Sequence, residues 1–231
     1  MEASLPFDIK DVHARYELPN GDPYNNPEGN LHHRTETLTG ISDPKIFVNF
    51  RPHALLFDTD SALIGGGFTL PLGRTEENPY KLAALGKRHE HMQFGDGTFD
   101  PLLRLGYFVM PDWWGVGVQG GMQAPLYEND KGYRGAFTAD FAVGPLARFS
   151  QDLSMALRYH GLYQDRAKWD GEPDLNSGFF LQTVSLTVPV HFSQSLMLAP
   201  SAQYTISAKT LGDETFKLKL LFSLTLEYTF F

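Results

Sequence analysis

The chain has 231 residues, a formal net charge of −8 and a pI near 5.4, a balance that argues against nucleic acid as a partner because phosphate binding needs a basic surface. It contains no cysteine, which excludes a disulfide framework, thiolate zinc sites and a cysteine nucleophile. Aromatic residues make up 13% of it, with 18 Phe and 10 Tyr beside 22 Gly, a mixture that points to β-structure. No stretch approaches the roughly 18 to 20 consecutive apolar residues of a membrane-spanning helix. The opening MEASLPFDIKDVHARYELP lacks the basic start and apolar core of a signal peptide.

Period-2 alternation recurs along the chain. LPFDIKDVHARYEL reads as a first strand if a β-bulge supplies a one-residue phase shift near Lys10 to Asp11. KIFVNFRP sets Ile46, Val48 and Phe50 against Lys45, Asn49 and Arg51, and SALIGGGFTLPL continues the pattern. YKLAALGKRHEH offers only about two helical turns before a glycine interrupts it. In TFDPLLRLGYFVM, Asp100 and Arg104 share the polar face with Gly106, and WGVGVQGGMQA alternates next. AFTADFAVGPLARF sets Phe137, Phe141 and Phe149 against Asp140 and Arg148. DLSMALRYHGLYQ sets Leu157, Tyr159 and Tyr163 against Ser154, Arg158, His160 and Gln164. GFFLQTVSLTVPVHF keeps Thr183, Ser185, Thr187 and His191 on one face. In the terminal FKLKLLFSLTLEYTFF, apolar residues from Phe216 to Phe230 oppose Lys217, Lys219 and Glu227. The pattern predicts about ten strands in a single domain, residues 1 to 231.

The connections alternate in length. MPDW, SQD and SQS, at 110–113, 150–152 and 193–195, are tight turns, whereas residues 19–43, 73–97, 126–134, 165–177 and 208–214 are longer polar loops. Short turns at one end and long loops at the other is the arrangement of an antiparallel transmembrane β-barrel of the outer membrane, with short periplasmic and long extracellular connections. A soluble barrel also alternates, with its apolar face inward. The membrane reading is favoured by nearly unbroken apolar faces ending in aromatics, such as Phe99 with Tyr107 and Phe180 with Phe192, as at interfacial girdles. The opposite faces are rich in glycine and in small or charged groups, which suits a crowded polar lumen.

The runs LTGISDPKIFVNFRP, GFTLPLGRTEENP, HMQFGDGTFDPLLRLGY and YENDKGYRG resemble outer-membrane transporters of the phenol-degradation meta-pathway type. The likeness spans residues 5 to 231. It implies a bacterial, Gram-negative outer-membrane location and a transport role, and it carries over no binding residue. That family has a signal peptide and a further N-terminal strand pair, so it implies either ten strands or twelve with an upstream hairpin. The ending at Tyr228 to Phe231 resembles the C-terminal aromatic signal by which such barrels engage the assembly machinery. The expected partners are therefore the lipid bilayer, that machinery and a small-molecule solute.

On these faces the lumen receives Lys45, Arg51, Arg104, Arg148, Arg158, Lys217 and Lys219 against Asp100, Asp140 and Glu227, with His160 and His191 among them. The basic excess predicts a preference for anions, including aromatic carboxylates or phenolates. The competing reading is that these charges pair across strands and fill the barrel, because about eight strands leave an interior just filled by side chains. A structural or partner-docking barrel without transport, and then a soluble ligand-binding barrel, are the alternatives. His89, His91 and Met92, with His32 and His33 in another loop, form a conceivable copper or zinc site of unspecific spacing. No cofactor is expected. Catalysis is not expected either: Ser154 and His160 share a face but lie about 20 Å apart along a strand at roughly 3.3 Å per residue. Ser185 and His191 fail for the same reason.

Overall fold

A computed structural model describes residues 1–25, 34–212 and 219–228. In chain order, β1 (Glu2–Ser4), β2 (Phe7–Val12), β3 (Glu36–Ile41), β4 (Lys45–Phe50) and β5 (Asp60–Thr69) precede a short helix, α1 (Pro79–Ala84). There follow β6 (Pro101–Val109), β7 (Trp114–Gln123), β8 (Tyr133–Arg134), β9 (Thr138–Arg148) and β10 (Ser154–Gln164). The chain then forms β11 (Lys168–Trp169), β12 (Glu172–Pro173), β13 (Phe179–Thr187), β14 (Val190–His191), β15 (Leu196–Thr210) and β16 (Leu220–Tyr228).

Eleven strands build one antiparallel sheet in the order β1-β4-β5-β6-β7-β9-β10-β13-β15, with β14 and β16 both on β15. β1 and β14 are only three and two residues long, so nine long strands make the wall. Among the described residues no pairing joins β16 to the β1–β4 edge. The up-and-down order follows from the connections. Residues 110–113 join β6 to β7, 149–153 join β9 to β10, and 192–195 join β14 to β15, where the tight turns are expected.

The wall alternates with the polarity of a soluble protein inverted. Val48, Phe50, Ile64, Phe68, Leu105, Val116, Val118, Phe141, Leu157, Leu186, Phe222 and Leu224 lie on its outer face and are exposed, while Thr69, Thr183 and Ser185 on the inner face are at most 5% exposed. An exposed apolar surface of this extent marks contact with something other than water. Trp113, Trp114, Phe149 and Phe192 crowd the short-turn rim and stay more than half exposed. At the loop rim the Phe68 and Phe99 rings lie 6.4 Å apart. Gly161 on the outer face is covered by an aromatic, since a Cβ there would strike the Phe141 ring.

Three expectations are corrected. β2 pairs with β3 from Phe7 opposite Ile41 to Val12 opposite Glu36 with no shift, so there is no bulge at Lys10 to Asp11. The phase change lies in the partner: three steps separate Ser4 from Phe7, but four separate Ile41 from Lys45. The extra residue falls at Ser42–Pro44, where Pro44 lacks a backbone donor. Second, β3 occupies part of the expected 19–43 loop, because Leu38 is buried against the pair it forms. Third, GFFLQTVSLTVPVHF is two strands rather than one. β13 stops at Thr187, and beyond Pro189 the two residues of β14 pair with β15, since proline cannot donate to the ladder. The terminal strand is described from Leu220 to Tyr228; Phe216, Lys217, Phe230 and Phe231 lie outside the described residues.

Candidate pore and its outer cap

The long loops fold together over one end of the wall. The connection from β5 to β6, residues 70–100, is a strap that runs across this mouth. α1 forms within it because Asn78 caps it, its Oδ1 accepting from the backbone N–H of Tyr80 and Lys81, and Pro79 begins it. Gly86, with φ of +63°, follows its end, as glycine commonly does beyond a helix C-terminus. The helical end is tied to the β10–β13 connection: Asn78 donates to Asp170 at 2.7 Å, Lys81 reaches Asp170 at 2.8 Å, and the Tyr80 hydroxyl donates to Asp174 at 2.6 Å. That contact with Lys81 holds the Asp170 carboxyl below its usual range.

The other end of the strap is tied to the β2–β3 pair. Arg34 donates to the His89 carbonyl at 3.2 Å and pairs with Glu36 and Glu90. Lys10 donates to the Gln93 carbonyl and sits 4.4 Å from the centre of the Phe94 ring, a cation–π contact. The strap therefore spans the mouth from the N-terminal strands to the β10–β13 side. Beneath it lies a cavity of about 780 Å³ lined by Met92, Phe94, Asp96, Tyr133, Phe179 and Thr210 among others. A second, of about 340 Å³, lies between the strap, Asp8, Lys45 and Gln123. Asp96 borders both.

The strap returns to the wall through a knot of carboxylates. Asp43, 6% exposed, accepts from the backbone N–H groups of Gly73 at 2.7 Å, Asp96 at 2.6 Å and Gly97 at 2.9 Å. The approach is close enough that a Cβ at Gly73 or Gly95 would come within 2.7 Å of Asp43. Asp100 is fully buried and accepts from Thr98 Oγ1 at 2.6 Å and Gln123 Nε2 at 2.8 Å. Burial, with Asp100 and Asp43 nearby, pushes the Asp96 carboxyl up to about 7, against the pull of Lys45. Burial, together with Asp96 and Asp174, raises the Tyr133 hydroxyl as well.

Below the cap, the register sorts the lumen candidates. Lys45 belongs to the knot's edge, its Nζ donating to Gln123 at 3.0 Å, and Asp100 belongs to the knot itself. Arg104, midway along β6, pairs with Glu2 at 3.0 Å and lies 4.2 Å above the Phe47 ring. Asp140 on β9 is exposed towards the lumen beside Gly121. Arg148 closes β9, Arg51 follows β4 and His191 sits on β14, all exposed at the short-turn end. Lys219 precedes β16 and Glu227 lies on it opposite Met197, both exposed. Lys217 is outside the described residues. Arg158 and His160 occupy adjacent lumen positions on β10, half-buried, and His160 Nε2 lies 2.6 Å from the Ser185 hydroxyl across the strand pair. Gln203 donates to Thr183, and the Thr187 and Ser201 hydroxyls meet at 2.9 Å, so the β13–β15 wall is a shelf of neutral polar groups.

The structure adds a serine–histidine contact, His160 with Ser185, that spacing along one strand does not reveal. Among the described residues no carboxylate hydrogen-bonds the other His160 nitrogen, and Ser185 lies in the ladder between β10 and β15. An acid that orients the histidine is part of what nucleophilic catalysis needs. His89 and His91 lie in the strap with ring centres 5.2 Å apart, and His91 is 5.9 Å from Tyr80. Met92 lines the larger cavity. Among the described residues no group of three or more His, Asp or Glu side chains is placed to hold a metal ion, and His32 and His33 lie outside them.

No family model matches the chain, and no curated protein is similar to it. Solved structures do match. Among them is an outer membrane channel from Pseudomonas putida F1, 13% identical in sequence, with a TM-score of 0.62, over 83% of this chain and 67% of that one. At that identity the likeness shows the fold, an antiparallel all-β wall of the outer-membrane channel type.

Proposed function

We propose that the chain is a β-barrel channel of the bacterial outer membrane, with its short turns in the periplasm, its strap and long loops outside, and small solutes passing through the lumen passively. The observation that carries this reading is the inverted wall: a belt of exposed aliphatic side chains with aromatics at both rims, around an interior of Arg, Gln, Ser, Thr and Gly. Bilayer hydrocarbon is the solvent that such an outer face fits, and a barrel is the only sheet that can meet it without unsatisfied edges. The fold of the matching channel supports the same conclusion. The solutes we propose are small anions, including aromatic carboxylates and phenolates, in keeping with the resemblance to phenol-pathway transporters. The terminal strand would serve as the signal to the barrel-assembly machinery.

A barrel without a transport role is favoured by one observation, the strap across the mouth, and the same experiment decides between the two. Protein extracted from outer membranes in detergent and reconstituted in planar bilayers is expected to give small, discrete conductance steps. A protein that stays in solution without detergent would overturn the membrane assignment, and reconstituted protein with no conductance would favour the structural barrel.

A further inference from the structure

We infer that Arg158 is the charge-selecting residue of the pore, an oxyanion-binding step midway along the lumen; this deepens the channel reading and rests on it. The other described cations assigned to the interior are engaged, peripheral or exposed. Lys45 is bonded to Gln123, and Arg104 is held between Glu2 and Phe47. Arg51 and Arg148 are exposed at the short-turn end, and Lys219, opposite Thr205 on β15, is exposed. Arg158 alone combines a mid-strand position, partial burial and no side-chain hydrogen bond or ion pair among the described residues.

Its neighbours keep it that way and leave room beside it. On the β9 side stands Gly144, where a Cβ would lie 3.0 Å from the Arg158 Cα. On the β13 side its register partner is Ser185, whose hydroxyl is already engaged by His160. The nearest lumen carboxylate along β9 is Asp140, two inward-facing positions beyond Gly144 and opposite Leu162, and it makes no ion pair with Arg158. A guanidinium partly removed from water without a counter-ion is costly, and the cost falls when an anion arrives. Its planar fork matches a carboxylate or a phosphate with two parallel N–H···O bonds, which an ammonium cannot do. The ligand class is therefore a small oxyanion, bound weakly enough beside a neutral shelf to move on.

The test is the reversal potential of single channels under a KCl gradient, followed by block with acetate and, separately, with inorganic phosphate. Wild type is expected to be anion-selective. Arg158→Gln should lower the chloride-to-potassium permeability ratio by roughly fivefold, the factor a unit charge at about 4 Å is worth in water. Arg158→Lys should keep most of the ratio but lose the oxyanion block. Lys81→Gln, on the exposed cap, should change neither. Block by acetate alone, or by phosphate alone, assigns the step to planar or to tetrahedral oxyanions. Conducting wild type with an unchanged ratio in Arg158→Gln overturns this inference and leaves the channel intact, and cation-selective wild type overturns it too. A wild type that inserts but never conducts removes the channel reading itself and Arg158 with it. Folded variants are recognised by their heat-modifiable mobility in detergent gels.

Discussion

The cap and the waist of this molecule use charge in opposite ways. At the cap, carboxylates are acceptors for backbone N–H groups and for polar side chains brought from distant loops: Asp43 alone ties three amides, and Asp100 and Asp174 each hold hydroxyl donors. At the waist, among the described residues, one ion pair joins Glu2 to Arg104, and one guanidinium, that of Arg158, has no counter-ion. The net charge of −8 therefore says little about the solute. Several of the acids that produce it are structural and sit in the cap.

The contrast is broken most directly at Asp43. Asp43→Ala leaves three partly buried amides without an acceptor, and each orphaned group costs about 1 to 3 kcal/mol. The expected outcome is a cap that detaches from the wall: urea unfolding should begin earlier by about 3 kcal/mol or more, and conductance steps should grow. Unchanged conductance and unfolding would mean that the knot does not hold the strap. Asp96 offers a gentler handle. Its folded pKa of about 7 lies above the ordinary 3.8, so the native cap binds more protons than the unfolded chain between those values. Its contribution is full below about pH 3.8, falls as pH rises, and is exhausted once Asp96 ionises near 7. Ionised Asp96 faces Asp43 and Asp100, with Lys45 the basic counterweight. Conductance should thus rise from pH 6 to 8 in wild type and stay level in Asp96→Asn; equal profiles in the two proteins would remove Asp96 from control of the mouth.

The waist was the more legible of the two in the sequence. Period-2 alternation assigns Arg104, Arg158 and His160 to one face without any knowledge of register, because the side-chain repeat of a strand is fixed. The turns at 110–113 and 193–195 show by the same means, as gaps between alternating runs. The cap was not legible. Asp43 and its amide partners are 30 to 54 residues apart, in loops with no period, and only the glycines of LPLG and FGDG hint that a backbone must come close. The His160–Ser185 contact joins positions 25 residues apart and depends on the register of two strands, which alternation does not supply. Glu2 was missed for a third reason: it precedes the first alternating run, and a three-residue strand is too short to show a period.

The smallest expected effect sharpens the contrast from the waist side. Glu2 and Arg104 are 44% and 34% exposed at their side chains, so their 3.0 Å ion pair sits in lumen water and is screened; pairs of this kind are worth about 0 to 1 kcal/mol. Glu2→Gln should therefore barely shift the unfolding midpoint, in contrast to Asp43→Ala. It should nevertheless raise anion selectivity, because Arg104, held in place by its stack on Phe47, then becomes a second uncompensated guanidinium at the waist. A double variant, Glu2→Gln with Arg158→Gln, should recover part of the selectivity lost by Arg158→Gln alone. If it recovers none, the selecting charge depends on the position of Arg158 and not on the number of free cations in the lumen, and the small-residue site formed by Gly144 and Ser185 becomes the feature that matters.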